Sequence, residues 1–333
     1  MLVAANFACT RPVQQSFLNA SLGEDSETIR KGTEVSFERA VFYKPREDSM
    51  AGLEMTFAPL IVQEVYGGVD PIDPSPFGAI VGRGGAAVGL HPNPLCERER
   101  EARVDPSRPT LYAGTFTTRI RGVDHDQVVF FWRYPARSDE PWCEVPISHH
   151  LSLEGRGVRI TLGSDGFPLV WEALSTATDT RILYVSESLE RAAVRAFGGP
   201  LPGRRYAVER PIHPATRESW GDHSMNEVSN VVVARLLDDG PVPMGPYVYL
   251  NAPPLRRVTT ILCRCMPSQV SEFVETRYYD VVPLETVRDW GDTRSCVDPP
   301  PPRVHWGGTL SYWNLRIPWE EKPLDQILRW PKM

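Results

Sequence analysis

VRITLGSDGFPLVWEAL, residues 158–174, sets two apolar runs on either side of Gly163-Ser-Asp-Gly166. Val158, Ile160 and Leu162 alternate with Arg159 and Thr161, which is the period-two pattern of a strand with one buried face. Asp165-Gly166 accepts the positive backbone angles of a tight turn, so the two runs are expected to form an antiparallel hairpin. Pro168 donates no ladder hydrogen bond and suits the start or an edge of the second strand.

Strand signals extend outward from this hairpin in both directions. They cover residues 34–43, 53–65, 111–120, 127–134 and 145–153 before it, and 180–185, 205–208, 228–237, 247–250 and 257–266 after it, with 278–283 also extended. The best helix is residues 186–197, where Ser186 can cap the free amides and Glu187 suits the positive helix end. Leu189, Ala192, Ala193, Ala196 and Phe197 form its apolar stripe, and Gly198-Gly199 stops it. Shorter helices are expected over 269–277 and around Leu324, Ile327 and Leu328, the latter docked by one face. Strands outnumber helices and do not alternate with them regularly, so the expected fold class is α+β, mainly antiparallel β with a few packed helices.

Residues 67–110 are dense in Gly and Pro, the composition of a long irregular connection, and place any domain boundary near 90–110. The expected division is a β-rich portion over 1–100, including this connector, and an α+β portion over 101–333; one compact domain is the alternative. The first 30 or so residues read as a polar arm. Pro299 to Pro302 make a stiff extended connector before the tail.

The 333 residues include 36 basic and 42 acidic side chains, a formal net charge of -6, with no stripe of Lys and Arg. A nucleic-acid-tracking surface is therefore not expected. Nor is a membrane span, since no apolar run approaches the length that a spanning helix needs. The N-terminus lacks the positive leader and long apolar core of a signal peptide. Six cysteines are sparse for this length; reduced thiols and a cytoplasmic location are expected, although their even number leaves secretion open.

Two of those cysteines stand one residue apart in ILCRCMPSQ, residues 261–269. On a strand Cys263 and Cys265 project to one face, about 6.6 Å apart from the rise alone, too far for a disulfide between them. A bend could bring both thiolates onto a zinc ion, where they would sit about 3.7 Å apart, with Cys296 as a third ligand. Cys143, His149, His150, His213 and His223 are further candidates. Alternatively Cys265, just ahead of the helix expected at 269–277, is a nucleophile activated by the helix amides, with His149 or His223 as its base. The plainest role for the pair is to pack as small hydrophobes.

Other patterns carry less chemistry. Asp124-His125-Asp126 combines hard ligands with a base but reads as solvent-facing loop, and Asp222-His223-Ser224 does not spell a hydrolase triad. Val81 to Gly89 is glycine-rich yet lacks the lysine and hydroxyl of a phosphate-binding loop. The tryptophans suit a core or an interface, and the neighbouring Glu320 and Glu321 an exposed surface. Two functions fit these residues. One is a small-molecule enzyme with a cleft near 67–110, using a thiol or zinc-supported water near Cys265 and His223. The other is a noncatalytic ligand-binding or structural protein that meets its partner through an aromatic surface.

Overall fold

The computed structural model describes residues 39–64, 77–81, 103–134, 155–175, 181–211, 231–250, 258–262, 272–284 and 323–332. Thirteen strands and three helices lie within them. In chain order they are β1 Arg39–Pro45, α1 Leu53–Thr56, β2 Leu60–Glu64, β3 Ala79–Val81, β4 Arg103–Asp105, β5 Thr110–Ile120, β6 Val123–Arg133, β7 Gly155–Leu162 and β8 Pro168–Ser175. Then come β9 Arg181–Ser186, α2 Glu187–Phe197, β10 Val231–Leu237, β11 Tyr247–Leu250, β12 Val258–Leu262, β13 Glu272–Pro283 and α3 Leu324–Ile327.

Eleven strands form one mixed sheet in the order β10-β9-β8-β7-β6-β5-β13-β1-β2-β11-β12, and β3 and β4 make a separate ribbon. β5 to β9 run as an antiparallel meander. β9 and β10 are parallel and are bridged by a crossover that contains α2, because parallel neighbours need a long connection where antiparallel ones need only a turn. The fold is thus α+β with antiparallel pairing predominant and few helices.

β13 is the corner of the sheet. Residues up to Tyr279 pair in parallel with β1, and Asp280 to Pro283 pair in parallel with β5. The sheet folds over at this strand, and β12 packs against β8 on the facing half. Val41, Tyr43, Ile61, Val248 and Leu250 from one half meet Val128, Phe130, Trp132, Val158, Ile160 and Trp171 from the other in a single core. Tyr279 is fully buried there and donates to the Pro59 carbonyl at 2.6 Å; burial pushes its phenol well above the usual range. Burial is also the main reason the Tyr112 phenol is raised, opposed by the Ile80 N–H that it accepts at 2.9 Å.

The strands next to α2 are buried on both faces. Ile182 and Tyr184 of β9 enter the core between the halves, while Leu183 and Val185 enter a second cluster with Leu189 and Ala193 of α2. This accounts for the nearly unbroken apolar run of β9, where one-sided burial would have left polar alternates. On the same outer face the guanidinium of Arg159 grips Glu172 directly across the β7–β8 ladder at 2.5 and 2.9 Å.

Several sequence expectations meet the structure directly. The hairpin at 158–174 forms as β7 and β8: the Gly166 N–H bonds the Gly163 carbonyl and the Gly163 N–H bonds Phe167. Only Gly166 takes the left-handed angle, φ 78°; Asp165 instead uses its carboxylate to accept the Phe167 N–H at 3.0 Å. Ser186 caps α2 by accepting the Leu189 N–H, and Gly198 ends the helix at φ 84°. Ala196, assigned to the apolar stripe, is exposed.

Three assignments change. The helix expected at 269–277 is extended from Glu272 onward, because its backbone is paired in parallel with β1. The strand expected at 53–65 begins as the helical turn α1, made of the good helix formers Leu53, Glu54 and Met55, and becomes β2 only after Pro59. Residues 205–208 form a turn, because the carboxylates of Glu190 and Glu209 capture their amides. The arm at 1–30, the strand expected at 145–153 and the proline run lie outside the described residues.

Candidate peptide-docking site

The residues singled out for chemistry are mostly beyond the described part of the chain. Cys143, Cys263, Cys265, Cys296, His149, His150, His213 and His223 all lie outside it, as do Glu320, Glu321 and the glycine loop after Val81. Of the helix proposed to activate Cys265, the described part, from Glu272, is strand. Among the described residues no group of three or more His, Cys, Asp or Glu side chains is placed to hold a metal, and no helix is long and apolar enough to cross a membrane.

His125 is described, and it is not in a solvent-facing loop. It lies within β6 and is 7% exposed. Strand alternation turns Asp124 and Asp126 to the opposite face, where both are exposed, so the three side chains do not converge. The His125 Nδ1 lies 2.8 Å from the Leu162 carbonyl. A carbonyl only accepts, so Nδ1 carries the proton and the imidazole is held in one tautomer. Its ring meets the edge of Trp330 at 5.7 Å between centroids.

Trp330 belongs to residues 323–332, which make a set of specific apolar and hydrogen-bonded contacts with the outer face of the sheet. Leu324, Ile327, Leu328 and Trp330 are all at most 6% exposed and enter the cluster formed by Ile120, Leu169, Val170, Leu183, Leu189 and Val208. Burying an aliphatic side chain of this size contributes about 1.5–3 kcal/mol. The helical turn α3 places Leu324 and Ile327 on one face, as their spacing of three requires.

The surface receiving the segment is built by α2 and the turn that follows it. Glu190, on the inner side of α2, accepts the N–H groups of Ala207 and Val208 at 2.7 and 3.1 Å. Glu209 accepts those of Arg205 and Tyr206 at 2.7 and 2.9 Å, closing the turn. So pinned, the turn presents its free edge: the Val208 carbonyl accepts the Arg329 N–H at 2.6 Å, and Glu209 and Leu328 form an antiparallel bridge.

Arginines complete the recognition by reading backbone. Arg210 donates to the carbonyls of Leu328 and Asp325 at 3.1 and 2.5 Å. Arg329 donates to the carbonyls of Gly199 and Phe197 at 3.1 and 3.4 Å and lies 4.6 Å over the Phe197 ring. A cation there meets the negative end of α2 and its last free carbonyls. At the far end, the Arg121 N–H donates to the Asp325 carboxylate at 3.0 Å. Arg121 sits in the two-residue β5–β6 turn at φ 50°, followed by Gly122 at φ 83°, a turn whose twist requires both residues to be left-handed.

Of this site, sequence reasoning found only the apolar side of the tail. Glu190, Arg210, Arg329 and Arg121 went unmarked, because the first three act on backbone groups brought close by folding and Arg121 acts through its own backbone N–H. The one available signal was a glutamate on the apolar side of an amphipathic helix. Among the described residues, fold and site together define a folded-over mixed sheet with residues 323–332 packed against α2 and the 205–210 turn on its outer face. No protein family, curated protein or solved structure matches the chain.

Proposed function

We propose that the protein is a noncatalytic binding or structural protein whose groove between α2, the 205–210 turn and the β5–β6 turn recognises a peptide segment. The observation that carries this reading is the way residues 323–332 are held. Two backbone carbonyls of the segment are taken by Arg210 and one backbone N–H by Val208, while four apolar side chains supply the buried area. Main-chain pairing for affinity with pockets for alternate side chains is how extended peptides bind to folded domains. The turn is fixed by Glu190 and Glu209 through bonds in which the segment takes no part, which supports a groove that is formed without it. Such preorganisation lowers the ordering cost of binding.

The test uses the full chain carrying Leu328→Ala and Trp330→Ala, so that its own segment is released, and a fluorescent peptide of residues 323–333. Anisotropy should show saturable binding, lost when Arg210→Ala is added. A folded variant that leaves the peptide free at all concentrations contradicts the reading.

A further inference from the structure

We infer that the end of α2 is a guanidinium-selective subsite that gives the groove its sequence specificity, so that the segment it takes is one with an arginine four residues after an aspartate; this rests on the peptide-docking reading above. The subsite is spelled by Phe197-Gly198-Gly199. Gly198 and Gly199 both take positive angles, φ 84° and 125°, a run that residues with side chains adopt only under strain. Turned in this way, the chain offers the Phe197 and Gly199 carbonyls to one guanidinium. Arg329 donates to them at 3.4 and 3.1 Å while lying 4.6 Å over the Phe197 ring. Two acceptors and an aromatic face around one planar cation match arginine. A lysine ammonium is a compact point charge, with no plane to lay on the ring and no fork to span the carbonyls.

The β5–β6 turn makes the opposite selection. There the Asp325 carboxylate accepts the Arg121 N–H at 3.0 Å. At both places a side chain of the segment meets backbone of the groove, a donor amide at one and acceptor carbonyls at the other. The two charges therefore cannot trade places: a carboxylate at 329 would face carbonyls, and a guanidinium at 325 would face an N–H. Arg210 and Val208 hold the segment by its backbone and accept any residue there. Asp325 and Arg329 thus fix its direction and register, while Leu324, Ile327, Leu328 and Trp330 fill the apolar positions around them. The ligand class is a short segment with an aspartate, aliphatic residues two and three positions later, an arginine at the fourth and a tryptophan at the fifth.

The experiment uses the full chain carrying Leu328→Ala and Trp330→Ala, with labelled peptides of residues 323–333. Arg329→citrulline keeps the shape and N–H donors of the side chain but removes its charge, and should weaken the peptide about tenfold or more. Arg329→Lys should weaken it about fivefold or more. A peptide with both Asp325→Arg and Arg329→Asp has the same composition and net charge and should not saturate. Adding Phe197→Leu to the chain should shrink the ratio between unaltered and citrulline peptides to about threefold or less, whereas a merely structural role for the ring would weaken both peptides alike. Equal binding of the unaltered, citrulline and charge-exchanged peptides overturns the inference and leaves peptide docking standing. A ratio that Phe197→Leu leaves unchanged also overturns it, since the charge is then read elsewhere. Failure of the unaltered peptide to bind overturns both.

Discussion

The guanidinium of Arg210 donates to the carbonyl of Leu328 at 3.1 Å, joining positions 118 residues apart in the sequence. Because the acceptor is backbone, the bond is indifferent to the side chain at 328, whereas the buried site of Leu328 is not. The two substitutions should therefore fail differently. Arg210→Ala leaves two carbonyls of the segment without their donor and is expected to weaken docking by about 1.5–3 kcal/mol. Arg210→Lys, which cannot reach two acceptors with one planar fork, should recover less than half. Peptide affinities of the two variants measure this.

Glu190 is the keystone of the receiving turn. Replacing it with Ala leaves the buried N–H groups of Ala207 and Val208 without acceptors, at about 1–3 kcal/mol each. Glu190→Gln should do little better, since its amide NH2 sets a donor against the second N–H. Urea unfolding of both variants should show losses of about 2–5 kcal/mol, and peptide binding should weaken with them.

Arg121 pays for its place in the turn with a left-handed backbone, φ 50°. Only its backbone N–H is needed by Asp325. Arg121→Asn, which tolerates that conformation and gives the Asn-Gly pair favoured in such turns, should raise stability by about 0.5–1 kcal/mol while leaving peptide affinity unchanged. A fall in affinity in this variant would show that the arginine side chain, not the turn, holds the segment.

Gln63 is fully buried on the core face of β2, and among the described residues neither its amide oxygen nor its nitrogen has a hydrogen-bond partner. An unpaired buried amide is costly, whereas an apolar side chain of similar volume is not. Gln63→Met should therefore stabilise the fold by about 1–2 kcal/mol in urea unfolding.

Alkaline pH should destabilise the fold through its buried phenols. Tyr279 and Tyr112 have pKa values raised by burial, so above pH 10 the unfolded chain loses protons that the native state keeps. Stability from these groups is fully present below about pH 10 and is lost as pH rises toward their folded values. Tyr279→Phe loses the bond to Pro59, about 1 kcal/mol at neutral pH, but should flatten the alkaline decline in a pH series of melting curves.

What the sequence discloses follows from the range of the forces involved. The β7–β8 hairpin and α2 with its Ser186 and Gly198 caps were legible because turn chemistry, capping and periodicity act within a few residues. The first half of β13 was not: residues 278–283 read as extended, but 272–277 read as helix, because their conformation is set by β1, more than 150 residues earlier in the chain. His125 was misread because one charged neighbour on each side resembles a loop, when alternation in a half-buried strand gives the same pattern. The docking groove was illegible for a further reason. Its polar contacts join side chains to backbone groups, and backbone leaves no mark in a sequence.

The central claim is that residues 323–332 are a ligand docked on a preformed groove, and hydrogen exchange tests it most directly. In the intact chain the amides of Leu328 and Arg329, bonded to the carbonyls of Leu324 and Val208, should exchange slowly. Trp330→Ala should speed both by tenfold or more while the amides of β5 to β9 stay protected. Free exchange of these two amides in the unsubstituted protein, or loss of protection across the whole sheet together with them, would contradict it.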